Sequence, residues 1–328
     1  TAMPTSTLLS LLADGEFRSG QALADALGVS RTAIWKQLNK VAEDAGLDIE
    51  SARGRGYRIP GGLDLLQRET IESLLTAPAR SLLSELQLHD SIDSTNAHLM
   101  RSAEQGALPG LVCATERQSA GRGRHGRQWV SPYASNIYLS LMWRFDAGAA
   151  ALEGLSLAVG VAVARALAAC GVNGVSLKWP NDVLHDGAKL GGILLEMSGD
   201  AAGPCAVVAG IGLNVAMPRS AADAIDQRWT DILAICDGSP PGRNVLTAAL
   251  LNELLPLFAG FADHGFAPWR EQWQALDAYA DAPVQLSAGS VKYAGIARGV
   301  DERGALLLET ASGTRAIYGG EMSLRGVS

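Results

Sequence analysis

No stretch of this 328-residue chain approaches the ~18 consecutive apolar residues of a membrane-spanning helix, which excludes a membrane-embedded class. The opening residues, from Thr1-Ala2-Met3 onward, lack a basic segment followed by an apolar one, so no secretory signal is expected. Cysteine is scarce: Cys113, Cys170, Cys205 and Cys236 lie far apart and form no C-x-x-C pair. That argues against a zinc or disulfide scaffold built on paired cysteines and reads as reduced, mostly packed thiols of a cytoplasmic protein. Charge is sparse too, at 19% of residues, and bases are in the minority: 27 Lys+Arg against 34 Asp+Glu, a net charge of −7. A protein that coats nucleic acid or membrane with its whole surface is thereby excluded, whereas a local basic face stays open. There is no internal repeat and no low-complexity tract. What remains is a 48% hydrophobic chain with material for about two to three domains, one large core and smaller satellite cores.

Residues 1–60 differ in texture from the rest. Thr5-Ser6-Thr7 precedes Leu8, Leu9, Leu11 and Leu12, a capped helix ending near Gly15. Ser19 caps a second helix that Gly28 stops, and Ser30 a third with Ile34, Leu38 and Val41 at helical spacing up to about Gly46. The tight Gly28-Val29-Ser30 junction matches a helix-turn-helix, and Ile49 to Pro60 reads as a hairpin tipped by Gly54-Arg55-Gly56, which makes the unit winged. A Leu-rich segment then links this module to a body of mixed strands and helices. Strands are expected at 111–117, 136–145 and 207–215, a hairpin from Val183 to Met197 turning at Asp186-Gly187, and helices at 152–170, 244–262 and 268–276. From 280 onward, short strand signals alternate with Gly289, Gly295, Gly299, Gly304 and Gly313, the pattern of a small all-β barrel.

Four strings carry chemistry. Gly121-Arg122-Gly123-Arg124-His125-Gly126-Arg127, followed by Gln128-Trp129, combines amides free to turn toward an anion with fixed positive charge. It suits a polyphosphate but lacks the G-K-[ST] ending of a P-loop; the lesser reading is a basic solvated loop or a nucleic-acid-binding segment. Lys178-Trp179-Pro180-Asn181-Asp182 puts two polar tips at a turn, and Lys189-Leu190-Gly191-Gly192-Ile193 returns an ammonium to the same cleft. Singly, those lysines are ordinary surface residues and Trp179 a packing residue; beside the Gly/Arg loop they favour a cleft for a phosphorylated ligand. Ser94-Thr95-Asn96 alone is an N-cap. Gly210-Ile211-Gly212-Leu213-Asn214 leaves room beside a strand.

In order and spacing, Ser94 to Asn96, Gln118 with the Gly/Arg loop, Lys178 to Asp182, Lys189 to Leu194 and Gly210 to Asn214 resemble the biotin protein ligases. With a winged helix-turn-helix in front, the chain is similar to the bifunctional bacterial type, which also represses biotin-biosynthesis genes. One departure is His125, where arginine is common; its side chain is expected to turn away from the ligand. The resemblance implies an α+β protein in four parts. These are a winged helix-turn-helix at 1–62, a linker at 63–83, a catalytic domain like class II aminoacyl-tRNA synthetases at 84–278, and an SH3-like barrel at 279–328. It implies ATP and Mg²⁺ as cofactors, biotin as substrate, biotinyl-5′-AMP as intermediate and corepressor, and a lysine of the biotin carboxyl carrier protein of acetyl-CoA carboxylase as acceptor. Lys189, Arg124 and Asp182 would be catalytic, with Asp182 orienting the incoming lysine or, with Asn181, assisting Mg²⁺. Ser94, Thr95, Asn96, Gln118, Arg122, Gly123, Arg124, Lys189 and Gly192 would hold biotin. Arg122, Arg124, Trp129, Lys178, Asn181 and Asn214 would hold ATP and the adenylate, Trp129 by stacking near adenine and Asn214 by a hydrogen bond there.

Seven basic and seven acidic side chains leave residues 1–60 neutral, but the bases are segregated. Arg31, Lys36 and Lys40 have no acid among them between Ser30 and Ala42, and the wing adds Arg53, Arg55 and Arg58. Arg31, Thr32, Lys36, Lys40, Arg53 and Arg55 are the expected DNA contacts; Trp35 is expected to be a packing or surface aromatic. A domain kept only to steady the ligase is the competing reading. Operator binding by so small a module implies a homodimer, and the resemblance implies that it forms when the adenylate is bound. The Gly/Arg loop, Asp146-Ala147-Gly148-Ala149 and Gly199-Asp200-Ala201-Ala202-Gly203 are candidates for its surface. A lipoate ligase, a sensing repressor with a dead ligase body and a ligase without a DNA role are the rivals.

Overall fold

The computed structural model describes residues 5–146, 148–199, 203–222, 224–288, 291–318 and 322–326. Three helices open the chain: α1 (Thr5–Leu12), α2 (Gly20–Leu27) and α3 (Arg31–Ala45). The Ser19 and Ser30 hydroxyls accept the Ala22 and Ala33 N–H groups at 3.0 and 3.2 Å, as the sequence predicts for N-caps. Leu8, Leu9, Leu12, Leu23, Ile34, Leu38 and Val41 share a small core. Strands β1 (Glu50–Ala52) and β2 (Gly56–Arg58) form the antiparallel wing, which Arg18 extends by exchanging two 2.9 Å backbone hydrogen bonds with Tyr57. Two members of this core come from far along the chain, Tyr133 and Ala134. The Tyr133 hydroxyl also donates to Asp90 Oδ1 at 2.5 Å, tying the module to the body behind it.

Residues 63–83 do more than link. They contain α4 (Arg68–Ser73) and α5 (Ala77–Leu82), and Ile71, Leu75 and Ala79 are buried in the main core. Each helix is under two turns long, too short for an apolar period to register in the sequence. The segment is fastened by its backbone as well: Leu66 N–H donates to Glu116 Oε1 and Gln67 N–H to Asn244 Oδ1, both at 2.7 Å. Behind them, Arg243 pairs with Glu116 at 2.7 Å in a buried ion pair and also donates to the Asp64 carbonyl at 2.6 Å. A buried pair is tolerable because further hydrogen bonds occupy the guanidinium, including two to the Asn136 carbonyl.

The body runs β3 (Glu85–Ile92), α6 (Thr95–Glu104), β4 (Leu111–Gln118), β5 (Ile137–Phe145), α7 (Leu155–Ala169), β6 (Val175–Lys178), β7 (Asp182–His185), β8 (Ala188–Gly199) and β9 (Cys205–Leu213). Helices α8 (Arg219–Ala222), α9 (Ile232–Ile235), α10 (Arg243–His264) and α11 (Ala267–Leu276) follow. The strands form one mixed sheet in the order β3-β4-β5-β9-β8-β7-β6, with β3 and β4 parallel through the α6 crossover and every other pair antiparallel. Strand alternation sorts the two faces. Val112 and Ala114 join the main core with α7 and α10, whereas Leu111 and Cys113 face Leu99 and Ala103 of α6. Helix α10 escapes the count of consecutive apolar residues: by length and overall composition it is apolar enough to cross a membrane, yet its Leu250, Leu251, Leu254, Leu255, Phe258 and Phe261 are buried in this core. It is an interior helix.

The tail forms a five-stranded antiparallel sheet, β13-β12-β11-β10-β14, from β10 (Pro283–Ala288), β11 (Val291–Val300), β12 (Leu306–Thr310), β13 (Gly313–Ile317) and β14 (Met322–Gly326). Gly289, expected to punctuate it, lies outside the described residues. Val284, Leu286, Leu306 and Leu308 are continuous with the main core. The Trp179 indole N–H donates to the Gly304 carbonyl at 3.1 Å, so the tail holds the β6–β7 turn.

Candidate active site

The helix-capping residues of α6, the loop after β4, the β6–β7 turn and the Gly-rich parts of β8 and β9 surround one cleft of ≈ 770 Å³. That volume suits a drug-sized or nucleotide-sized ligand. Its floor depends on two glycines of β9. A Cβ on Gly210 would lie 2.2 Å from Asn96 Oδ1, and one on Gly212 would lie 2.6 Å from the Trp129 ring, so any other residue would displace a wall of the cleft.

One end of the cleft is a neutral hydrogen-bonding network. Gln118 Oε1 accepts the Thr95 N–H at 2.9 Å and lies 3.2 Å from its hydroxyl, while Gln118 Nε2 donates to Ser131 Oγ at 3.2 Å. Ser94 uses its hydroxyl to cap α6. Asn96 is buried, donates to Leu194 O and Glu196 Oε2 at 3.2 and 2.8 Å, and accepts from Ser140 at 2.6 Å. Its amide therefore braces the helix start against β8 and β5.

The other end is charged. Lys189 Nζ lies 2.8 Å from Asp182 Oδ1, and Lys178 Nζ lies 3.4 Å from Asp182 Oδ2. Arg124 Nη1 donates to Asn181 Oδ1 at 3.4 Å, and Asn181 Nδ2 donates to Ile193 O at 2.7 Å. Burial lowers the Arg124 pKa while nearby Asp182 opposes the shift, and the guanidinium stays charged. Three cations around one carboxylate leave an excess of positive charge in a half-buried setting, the condition for gathering anionic groups. The Gly/Arg loop is folded on itself: Arg122 bridges to Gln128, Gly123 N–H donates to Arg127 O at 2.7 Å, and Trp129 N–H donates to Gly121 O at 2.9 Å. Trp129 packs under the Lys189 ammonium, 5.7 Å from its ring centre, and its buried indole N–H has no hydrogen-bond partner. An orphaned donor in a cleft wall suits a ligand acceptor.

Every residue singled out for catalysis, biotin or nucleotide lines this one cleft: Ser94, Thr95, Asn96, Gln118, Arg122, Gly123, Arg124, Trp129, Lys178, Asn181, Asp182, Lys189, Gly192 and Asn214. Two details differ from expectation. His125, expected to turn away, borders the cleft, exposed and at φ 58°. Buried Asn214 donates through Nδ2 to Thr230 O at 3.0 Å, so this nitrogen clips the 228–230 segment rather than standing open to a ligand.

Sequence reasoning missed that segment altogether. Lys189 N–H donates to Arg228 O at 3.0 Å and Thr230 N–H to Lys189 O at 2.9 Å, which brings Arg228 and Trp229 to the cleft rim with Asp226 and Gln227. Its only signal was an Arg-Trp pair in a stretch with neither helical nor strand period. Asp231 anchors it by capping α9 and accepting the Met217 N–H at 3.0 Å.

The DNA candidates lie apart from the cleft. Arg31, Thr32, Lys36 and Lys40 are exposed on α3 opposite buried Ile34, Leu38 and Val41. Arg53 and Arg55 are exposed on the wing; Arg55 and Arg58 stand 4.0 and 4.5 Å over the Phe17 ring, and Arg58 pairs with Glu50 at 2.7 Å. Trp35 is 55% exposed, a surface aromatic. Of the dimer candidates, Ala147 and residues 200–202 lie outside the described residues.

The model of the Biotin/lipoate A/B protein ligase family matches residues 88–214, that of an HTH domain residues 5–58, and that of the Biotin protein ligase C terminal domain residues 283–325. Fold and cleft thus define a class, a biotin/lipoate-type protein ligase body with an HTH domain before it and a small β domain after it. The chain is 41% identical over 319 residues to the "Bifunctional ligase/repressor BirA" of Salmonella typhimurium, covering 97% of each, and 40% identical over 318 residues to that of Escherichia coli, covering 97% of this chain and 96% of the relative. It belongs to the family of these bifunctional BirA ligase/repressors. Among solved structures it resembles the biotin protein ligase of Aquifex aeolicus in complex with biotin and ATP, with a TM-score of 0.64, 29% identity, and coverage of 75% of this chain and 100% of that one.

Proposed function

We propose that the chain joins biotin to ATP to give biotinyl-5′-AMP, passes the biotinyl group to a lysine of a biotin carboxyl carrier protein, and binds operator DNA as a biotin-responsive repressor. The observation that carries the ligase reading is the cationic end of the cleft, with Lys189, Lys178 and Arg124 around Asp182, set beside a neutral hydrogen-bonding end. Biotin has the same polarity: an uncharged ureido ring at one end and a carboxylate at the other.

Ser94, Thr95 and Gln118 meet the ring, with Asn96 bracing them and Arg122, Gly123 and Gly192 lining the passage. The biotin carboxylate oxygen attacks the ATP α-phosphorus as the bond to pyrophosphate breaks, and Lys189 and Arg124 offset the negative charge crowded there. Trp129, with its orphaned N–H, and Asn214 flank the nucleotide. In the second step the carrier lysine nitrogen attacks the acyl carbon, the bond to AMP breaks, and the lysine proton leaves through Asp182. Magnesium bound with ATP would offset triphosphate charge. Asn181 and Asp182 would be the residues to assist it, and both Asp182 oxygens already face ammonium groups.

On the DNA side, Arg31, Thr32, Lys36 and Lys40 enter or border the major groove while Arg53 and Arg55 follow the adjacent backbone. Adenylate-bound homodimers are the operator-binding form, and the whole cycle runs in the cytoplasm. The deciding experiment is biotin-dependent ATP–pyrophosphate exchange with lipoate as control acid. Exchange with biotin alone supports the ligase; exchange with lipoate alone makes the chain a lipoate ligase, and exchange with neither leaves a sensing repressor. Anisotropy of an inverted-repeat DNA, with and without adenylate, tests the second function.

A further inference from the structure

On the sheet face that α6 covers, away from the ligand cleft, His89 of β3, His98 of α6 and Cys113 of β4 offer one donor atom each within 4.8 Å of one another. Among the described residues, no other group of three His, Cys, Asp or Glu side chains is so arranged. The backbone dictates the meeting. In the parallel β3–β4 ladder Gln87 is paired with Cys113 and His89 with Thr115, so His89 and Cys113 are diagonal neighbours on one face. Helix α6 packs on that face through Leu99 and Ala103, and His98 lies one turn past its Ser94 cap.

Two features go beyond packing. His89 Nε2 is buried with no hydrogen-bond partner, a cost that a core imidazole normally avoids. His98 Nε2 lies 2.8 Å from Gln87 Oε1; an amide oxygen only accepts, so this nitrogen carries the proton and Nδ1 keeps its lone pair. Imidazoles that bind metals have their other N–H held in this way by a carbonyl or carboxylate.

We propose that His89, His98 and Cys113 bind a zinc-class divalent cation, with water as a further ligand. A tetrahedral zinc with bonds of about 2.0 Å to nitrogen and 2.3 Å to sulfur needs donors roughly 3.3–3.6 Å apart, so the side chains close by no more than about 1.5 Å. On binding, the Cys113 S–H bond breaks, the proton leaves to solvent, a metal–sulfur bond forms, and each imidazole gives a lone pair; no electron changes hands. Two nitrogens and one sulfur select zinc over magnesium, which keeps this site distinct from the ion that accompanies ATP. The cation would cross-link β3, α6 and β4 behind the strand and helix ends that present Thr95 and Gln118 to the cleft.

The test uses the full chain without a histidine tag, stripped with chelator and titrated with Co²⁺. We expect one Co²⁺ per chain, a thiolate-to-cobalt charge-transfer band in the near ultraviolet, and intense visible absorption of a four-coordinate site. Zn²⁺ should bleach both and Mg²⁺ neither. Cys113→Ser should abolish the near-ultraviolet band, and His89→Gln and His98→Gln should each weaken Co²⁺ binding by about 10-fold or more. Three variants guard against one that does not fold, and metal-free melting curves identify such a case. Absence of the thiolate band in the wild-type chain would overturn the site. So would its survival at wild-type affinity in a folded Cys113→Ser or His89→Gln variant.

Discussion

Lys189 is held by its backbone on both sides, through Arg228 and Thr230, while its ammonium rests 2.8 Å from Asp182. Truncation therefore leaves the strand in place and removes only the charge. We expect Lys189→Ala to lower biotin-dependent pyrophosphate exchange by ~100-fold or more, the usual result of deleting a charged donor from a transition-state site. Exchange at the wild-type rate in a folded variant would refute the assignment. Arg124→Gly removes the link to Asn181 that pins the Gly/Arg loop over the cleft. We expect that variant to release its adenylate early, read as a shortened half-life of the bound complex in a chase with unlabelled biotin; an unchanged half-life would count against a water-excluding loop. At this scale the sequence was informative because Lys178 to Asp182 and Lys189 to Ile193 are short strings, each on one turn or strand. Trp229 was illegible because its position comes from a backbone pairing with Lys189, forty residues upstream, and not from its own neighbours.

Asp93 links the end of β3 to the start of α6. Its carboxylate accepts two hydrogen bonds from Arg101, at 2.8 and 3.1 Å, and the Ser94 N–H at 2.8 Å. The Arg101 bonds dominate in holding its pKa at about 2, below the ordinary value of 3.8. A carboxyl depressed by folding stabilises the protein fully above its unfolded pKa, and that contribution fades as pH falls from near 3.8 toward 2. We expect Arg101→Ala to return the Asp93 carboxyl toward its ordinary value in an NMR titration and to narrow the acid tolerance of the helix start. An unmoved titration would show that Ser94 N–H alone suffices. Helix α4 offers a second test at this scale. Ile71 is fully buried against the main core, so Ile71→Ala should destabilise the ligase body by about 2–5 kcal/mol in denaturant unfolding followed by ligase activity. A mere tether would lose almost nothing. The long elements were legible from period and punctuation, as α3, α7 and α10 illustrate. The α4 and α5 turns were not, since their apolar residues are chosen by the helix they pack on.

Across the whole molecule, Arg31, Lys36, Lys40, Arg53 and Arg55 are exposed together on α3 and the wing, which lets a chain of net charge −7 still present a cationic face. If Lys40 contacts a phosphate, Lys40→Ala should weaken binding to all sequences alike and make the salt dependence shallower by about one ion. A loss confined to one base position in a set of variant operators would instead make it a sequence reader. The order of the HTH, ligase and C-terminal domains was legible because each has its own texture. How the parts join was not, because Tyr133 and Ala134 belong in sequence to the ligase loop and in space to the helix-turn-helix core. The borrowed pair bears on modularity. A DNA-binding unit cut out at residue 62 would leave with a hole where an aromatic ring had been, and the remaining enzyme would show that ring to water. The two activities thus share a piece of interior that neither can take away, so a gene rearrangement that separates them must first repair both halves.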